Sequence, residues 1–276
     1  MTVHWVVEAI WESVVPSLPD FTVEILPQID STNSELMRRA RAGRMEPVLL
    51  VAEHQTAGRG RMGRDWHSTG AKTGFAGALT FSLGLPLSPQ DWSGLSLVAG
   101  IVVAQELHPE LQLKWPNDVW WRGRKLAGIL IETASVGELR YAVIGIGVNI
   151  ATPEFAAPAA LAASPVGTLP GAAVAAPVAA IGLQELCPDL LAPAALARLA
   201  GPLVRAVQAF ERSGFAQFQT RFAALDALAD CVVALSDGTV GIARGVSFDG
   251  ALLVHTAHGV KKVTSAEVSV RPVPSA

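Results

Sequence analysis

The sequence predicts an α+β fold: a mixed sheet with packed helices, followed by a small C-terminal β-barrel of the SH3 size class. Three observations carry this expectation. Strand-like and helix-like stretches alternate over residues 48–225, and several strands come as hairpins, which argues against a doubly wound parallel sheet. From Asp230 onward, Asp237-Gly238, Asp249-Gly250 and His258-Gly259 separate short β-branched runs at intervals of about ten residues, the texture of a small antiparallel unit. At 276 residues the chain is also long for one compact core, so a large unit over residues 1–226 and a small one over 227–276 are expected.

The elements follow in order. Asp30-Ser31-Thr32-Asn33-Ser34-Glu35 precedes a helical run, and Thr32-x-x-Glu35 reads as a capping box. Residues 48–52 and 79–83 read as strands, and residues 94–108 carry the apolar spacing of a helix packed on a sheet. A strand over 111–114 is stopped by Pro116; Val119-Trp120-Trp121, a turn at Arg122-Gly123 and residues 126–131 then form a hairpin, with a further partner over 139–146. Residues 155–184 carry no charge and are rich in alanine. Pro158, Pro165, Pro170 and Pro177 would break a membrane-crossing helix, so the stretch of about 151–185 is expected to be a mobile surface loop, and no membrane association is expected. Residues 193–210 and 215–225 have helical spacing.

Composition narrows the function. With 21 Lys+Arg against 24 Asp+Glu the formal net charge is −3, so no broad cationic field draws in nucleic acid or acidic lipid, and any anion site must be local. The two cysteines, Cys187 and Cys231, lie far apart with no C-x-x-C pair, so neither a disulfide framework nor a cysteine zinc site is suggested and a reducing compartment fits. No Lys or Arg precedes Arg38, so neither a secretory signal nor an Arg-rich transit peptide is expected, and a cytoplasmic address is.

The richest segment is Gly58-Arg59-Gly60-Arg61-Met62-Gly63-Arg64-Asp65-Trp66. Its glycines let backbone N–H groups approach an anion, and its three arginines supply bidentate donors for phosphate or carboxylate. The segment also matches G-x-G-x-x-G, but no helix pattern opens at the loop and no carboxylate lies between Gly77 and Gln90, so a dinucleotide fingerprint is rejected. In Lys114-Trp115-Pro116-Asn117-Asp118 and Lys125-Leu126-Ala127-Gly128-Ile129-Leu130, Lys114 ends one strand and Lys125 begins another. The connecting hairpin can hold both cations near one sheet end, which suits a phosphoryl centre. The helix start at Ser31-Thr32-Asn33 offers hydroxyls and an amide to a small polar ligand. The small residues of Gly145-Ile146-Gly147-Val148-Asn149 would let a flat base lie on the backbone. His255 and His258 lack a third ligand nearby and are not read as a metal site. The seven tryptophans are read as core and pocket wall, with Trp66 as a cover for an adenine.

Taken in order, Asp30-Ser31-Thr32-Asn33, Gln55-x-x-Gly58-Arg59-Gly60-Arg61-x-Gly63-Arg64-x-Trp66, Lys114-Trp115-Pro116-Asn117-Asp118, Arg124-Lys125-Leu126-Ala127-Gly128-Ile129-Leu130 and Gly145-x-Gly147-x-Asn149 resemble the biotin protein ligase family. The resemblance runs from about residue 24 to the C-terminus, where Gly241-Ile242-Ala243-Arg244-Gly245 and Asp249-Gly250-Ala251-Leu252-Leu253 are similar to its small β domain. It implies a catalytic domain like that of class II synthetases. It also implies two steps: biotin and MgATP give biotinyl-5′-adenylate and pyrophosphate, then a lysine of a biotin carboxyl carrier protein takes the biotinyl group. By the same resemblance Ser31, Thr32, Asn33 and Gln55 face the biotin ureido end, Arg59, Gly60 and Arg61 close over biotin, and Gly128 and Leu130 border its pocket. Lys125 and Arg61 are the implied catalytic pair, while Arg64, Trp66, Lys114, Asn117 and Asn149 are implied on the ATP side. The resemblance assigns no residue to magnesium. Met62 departs from the basic residue often seen at its position. Bifunctional members of the family carry an N-terminal DNA-binding module; the 29 residues before Asp30 are too few for it, so DNA binding is not expected. Family members occur as monomers and as homodimers, and the composition decides between neither. A lipoate or octanoate ligase or transferase of the same fold is the nearest enzymatic alternative, and a binding protein without turnover is a further one.

Overall fold

The computed structural model describes residues 4–67, 77–153, 179–264 and 270–272. Its main sheet has seven strands in the order β1 (Thr22–Ile29), β2 (Val48–Gln55), β5 (Ala78–Pro86), β9 (Leu139–Asn149), β8 (Arg124–Val136), β7 (Asp118–Trp121) and β6 (Gln112–Lys114). β1 and β2 run parallel and the other neighbours antiparallel, so the sheet is mixed, as hairpins among helices predict. Two short strands between β2 and β5, β3 (Gly58–Arg59) and β4 (Asp65–Trp66), form a hairpin of their own.

The period of two along a strand sorts side chains onto opposite faces. Leu49 and Val51 of β2, Leu79, Phe81 and Leu83 of β5, and Ile144, Ile146 and Val148 of β9 enter one apolar cluster. That cluster also holds residues of α1 (Val7–Val14), α3 (Leu95–Leu107) and α4 (Ala192–Ser213). α3 is buried on nearly every side, which explains its apolar sequence from Leu95 to Ala104. On the opposite face, Val48, Leu50, Tyr141 and Val143 pack against Leu36, Met37 and Ala40 of α2 (Thr32–Arg41). Leu36 is fully buried there, and truncating such a leucine to alanine costs about 2–5 kcal/mol. Farther along this second face the strands carry Thr80, Ser82, Gly145, Gly147 and Gly128 instead of large apolar residues.

Three local expectations need correction, and two elements went unread. The helix cap is Ser31, whose hydroxyl accepts from the Ser34 N–H; Glu35 turns to Arg38 and Arg39, so the capping register lies one residue earlier than Thr32-x-x-Glu35. Neither α1 nor β1 is legible in the sequence pattern. The helical spacing of 215–225 becomes a single 3-10 turn, Ala216–Phe218, followed by the short α5 (Gln219–Ala223). The end of the supposed loop is packed: the Lys125 N–H donates to the Ala179 carbonyl, the Ile181 N–H donates to the Lys125 carbonyl, and Ile181 and Leu183 are fully buried. Residues 154–178 of that stretch lie outside the described residues.

The C-terminal strands form an antiparallel sheet in the order β13 (Gly259–Val263), β12 (Leu252–Thr256), β11 (Val240–Val246), β10 (Val232–Leu235) and β14 (Val270–Pro272). The reversals fall at the three turn signals. This sheet packs against the rest of the chain. The Trp115 indole N–H donates to the Gly250 carbonyl at 3.0 Å, and Val233, Ala243 and Val254 share the main apolar cluster. Among the described residues no helix is long and apolar enough to cross a membrane.

Candidate active site

The arginine-rich segment folds as a flap. β3 and β4 pair at its base, and Arg61–Gly63 turns at its tip, where Met62 and Gly63 take φ of 56° and 70°. Gly58 is required at the base, since a Cβ there would lie 2.3 Å from the Trp66 carbonyl oxygen. The Gly60 N–H donates to the Arg64 carbonyl at 2.7 Å, so in this conformation that one donor serves the loop itself.

Beneath the flap is a cleft on the second face of the sheet. Of the residues expected at the site, Ser31, Thr32, Asn33, Gln55, Arg59, Gly60, Arg61, Arg64, Trp66, Lys114, Asn117, Lys125, Gly128 and Leu130 all line it. Asn149 does not; it ends β9 with its amide donating to the Lys125 carbonyl at 3.2 Å.

At one end the start of α2 meets the strands through a buried polar network. The Thr32 N–H and hydroxyl donate to Gln55 Oε1 at 2.8 and 3.1 Å, and Ser82 Oγ lies 2.7 Å from Thr32 Oγ1 and 2.6 Å from Asn33 Oδ1. The Asn33 amide donates to Glu132 Oε2 at 2.9 Å and to the Leu130 carbonyl at 3.3 Å. Buried polar groups so fully paired hold fixed orientations, which a site for a small polar head group needs.

The floor is made of glycines. A Cβ on Gly145 would fall 2.1 Å from Asn33 Oδ1, and one on Gly147 would fall 2.3 Å from Trp66 Cε2. The Trp66 ring therefore rests on Gly147, within reach of Gly128, and its indole N–H is buried without a hydrogen-bond partner.

At the other end cations converge. Lys125 Nζ lies 2.7 Å from Asp118 Oδ1, Lys114 Nζ lies 5.7 Å from the centre of the Trp120 ring, and Arg61 donates to Asn117 Oδ1 at 3.3 Å. Burial pushes the Lys114 ammonium below the usual lysine range. Asp118 opposes that shift, while Lys125, Arg64 and Arg61 add to it. Burial likewise lowers Arg61, against the pull of Asp118. Removing water strengthens every interaction these cations make with an anion.

Sequence reading overlooked several contributors. Thr80, Asp118 and Val270 line the cleft, and Ser82 and Glu132 hold its polar end. Hydroxyls at Thr80 and Ser82 inside an otherwise apolar strand were the available signal for the β5 contribution. Among the described residues no group of three or more His, Cys, Asp or Glu converges to hold a metal ion, and this includes His255 and His258.

Comparison with known proteins accords with this geometry. Residues 25–149 match the Biotin/lipoate A/B protein ligase family and residues 231–271 match the Biotin protein ligase C terminal domain. The bifunctional ligase/repressor of Escherichia coli K12 is 34% identical over 271 residues, which cover 94% of this chain and 77% of that one. The biotin–[acetyl-CoA-carboxylase] ligase of Paracoccus denitrificans is 34% identical over 258 residues, covering 88% of this chain and 98% of that one. Among solved structures, the biotin protein ligase of Aquifex aeolicus in complex with biotin and ATP superposes with a TM-score of 0.70 at 26% identity, covering 91% of this chain and 99% of that one. With identity of this extent running through both the cleft-bearing sheet and the C-terminal strands, the chain belongs to the biotin protein ligase family.

Proposed function

We propose that this chain activates biotin with ATP in the cleft beneath the flap and passes the biotinyl group to a lysine of a biotin carboxyl carrier protein. In the first step a biotin carboxylate oxygen bonds to the α-phosphorus of ATP and pyrophosphate leaves. In the second the acceptor amine attacks the acyl carbon, and AMP leaves with the bonding electron pair.

The observation that carries this reading is that Arg61 and Lys125 line the same cavity. Two like unit charges 4 Å apart repel by about 4 kcal/mol at an effective dielectric near 20, so bringing the carboxylate up to a phosphate needs cations placed in advance. Arg61 on the flap and Lys125 on β8 meet that need from two sides, with Arg64, Lys114 and Asn117 extending the donor set toward the phosphates. Ser31, Thr32, Asn33 and Gln55 take the ureido end, Gly128 and Leu130 border the ring system, and Arg59 and Gly60 close over it. Trp66, backed by Gly147, takes the adenine on its other face. Asn149 acts through the Lys125 backbone, where its amide is bonded. Closure of the flap also keeps water from the labile acyl-adenylate.

Magnesium would reach this site on the nucleotide. The chain's described residues bring no cage for it, and the phosphates supply most of its ligands. The half-buried, unpaired thiols of Cys187 and Cys231 suit a reducing, cytoplasmic setting. The names of the relatives favour biotin over lipoate. Exchange of labelled pyrophosphate into ATP tests the reading: it should depend on biotin and not on lipoate, and exchange driven by lipoate alone would overturn it.

A further inference from the structure

Gly128 and Leu130 of β8 line the cleft, and the period of two along that strand brings Glu132 to the same face just past the cleft's polar end. Both of its carboxylate oxygens are engaged, each by a residue of a different element. Glu132 Oε1 accepts from Arg59 Nη2 on the flap at 2.8 Å, and Oε2 accepts from the Asn33 amide on α2 at 2.9 Å. Arg59 is held a second time, donating through Nη1 to Ser34 Oγ at 3.1 Å, so flap, helix start and sheet meet at this carboxylate. The pair is only partly exposed, with side-chain exposures of 48% for Arg59 and 20% for Glu132, and two charge-assisted bonds at such lengths fix orientation as well as distance.

We propose that Glu132 is a positioning residue for the ligase reaction: it latches the flap through Arg59 and fixes the Asn33 side chain at the biotin end of the cleft. This rests on the biotin reading above and adds to it a residue that does not itself line the cavity. Without Glu132, the Asn33 amide keeps only its longer bond to the Leu130 carbonyl, and Arg59 keeps only a neutral hydroxyl.

The test compares Glu132→Ala, Glu132→Gln, Arg59→Met and the double variant Glu132→Ala/Arg59→Met. Biotin affinity is read by calorimetry, pyrophosphate exchange at saturating biotin and ATP, and the escape of free biotinyl-adenylate over time. Glu132→Ala should weaken biotin about tenfold, the effect of losing one charge-assisted hydrogen bond, and should speed escape, while exchange at saturation stays within about threefold. Glu132→Gln keeps an acceptor for Asn33 and loses the ion pair, so it should keep most of the biotin affinity and still leak. The double variant should leak no faster than Arg59→Met alone, a pattern that a general loss of stability would not produce. Unchanged affinity and retention in Glu132→Ala, or leak rates that add in the double variant, overturn the latch; should the alanine variant not fold, an unaltered leak in Glu132→Gln does the same. Absence of biotin-dependent exchange in the unaltered chain would instead sink the biotin reading itself.

Discussion

Gly147→Ala separates the proposed base platform from the fold that carries it. Gly147 lies in β9, between β5 and β8, and its φ is not in the left-handed region, so alanine can take the same backbone and keep both ladders. The obstacle is the Trp66 ring, with Cε2 at 2.3 Å and Cζ2 at 2.5 Å from the new methyl position. Ordinary carbon contact is about 3.6 Å, so the ring must withdraw by roughly 1.3 Å. The cost to the fold is small. Alanine recovers about 0.5–1 kcal/mol over glycine in a strand, which offsets much of the packing that a partly exposed ring gives up, and the melting temperature should stay within a few degrees. The cost to function is large, because a misplacement near 1 Å in a positioning group lowers rates by up to about 100-fold. In pyrophosphate exchange the KM for ATP should rise at least tenfold, while biotin affinity measured without nucleotide stays unchanged, because the Thr32–Gln55–Ser82 network is untouched. An unaltered KM for ATP would refute the platform. A melting temperature lowered by more than about 10 °C would show instead that the glycine serves the fold.

Lys125→Ala should abolish adenylate formation, with exchange falling by about 100-fold or more, while biotin binding is weakened but measurable; near-normal turnover would refute the assigned role. Arg61→Gly should raise the release of free biotinyl-adenylate into solution, and unchanged retention would remove support for flap closure. The ammonium form of Lys114 is the one that attracts phosphate, and burial lowers its pKa, so kcat/KM for ATP should be intact below that depressed pKa and lost above it, at a lower pH than for an ordinary lysine. Lys114→Arg should push the alkaline limb to higher pH; a limb that does not move would assign the titration to another group.

The parts of this site that sequence revealed are those whose chemistry is local. Gly58 to Arg64 announces a cationic segment wherever it sits, and Lys114 and Lys125 are brought together across β7 by two short hairpins, the second of which Arg122-Gly123 already marks. What sequence did not reveal depends on which face of the sheet a residue takes and on what crosses it. Glu132 looks like one more charge on a long strand until Asn33, 99 positions away, is seen to bond it. Asn149 reads as a ligand contact, yet β9 turns its amide to the Lys125 backbone. The end of the Ala/Pro-rich stretch misled for a related reason: Ile181 and Leu183 sit in a composition typical of loops, and only the docking of Ala179 and Ile181 against Lys125 buries them. β1 went unread because Leu26-Pro27-Gln28 interrupts its alternation and because its hydrogen bonds are to β2 in parallel, a pairing no hairpin signal announces.

The electrostatics of the cleft explain how a chain of net charge −3 can receive a polyanion. Arg61, Arg64, Lys114 and Lys125 share the cavity with the Asp118 carboxylate, which pairs with Lys125. The repulsion among these cations is felt at Lys114, whose charge Lys125, Arg64 and Arg61 all disfavour. A triphosphate entering the cleft reverses that sign, since each phosphate oxygen favours the charged form of a lysine that its neighbours have discouraged. The cations are also divided between two bodies. Lys114 and Lys125 are fixed on the sheet, whereas Arg61 and Arg64 ride on the flap, and Arg61 reaches the neutral Asn117 side chain through a bond of 3.3 Å. On the proposed reading the anion tightens the flap further, since its cations gain most when negative charge lies between them and the sheet. Ligand entry and flap closure then respond to one electrostatic balance.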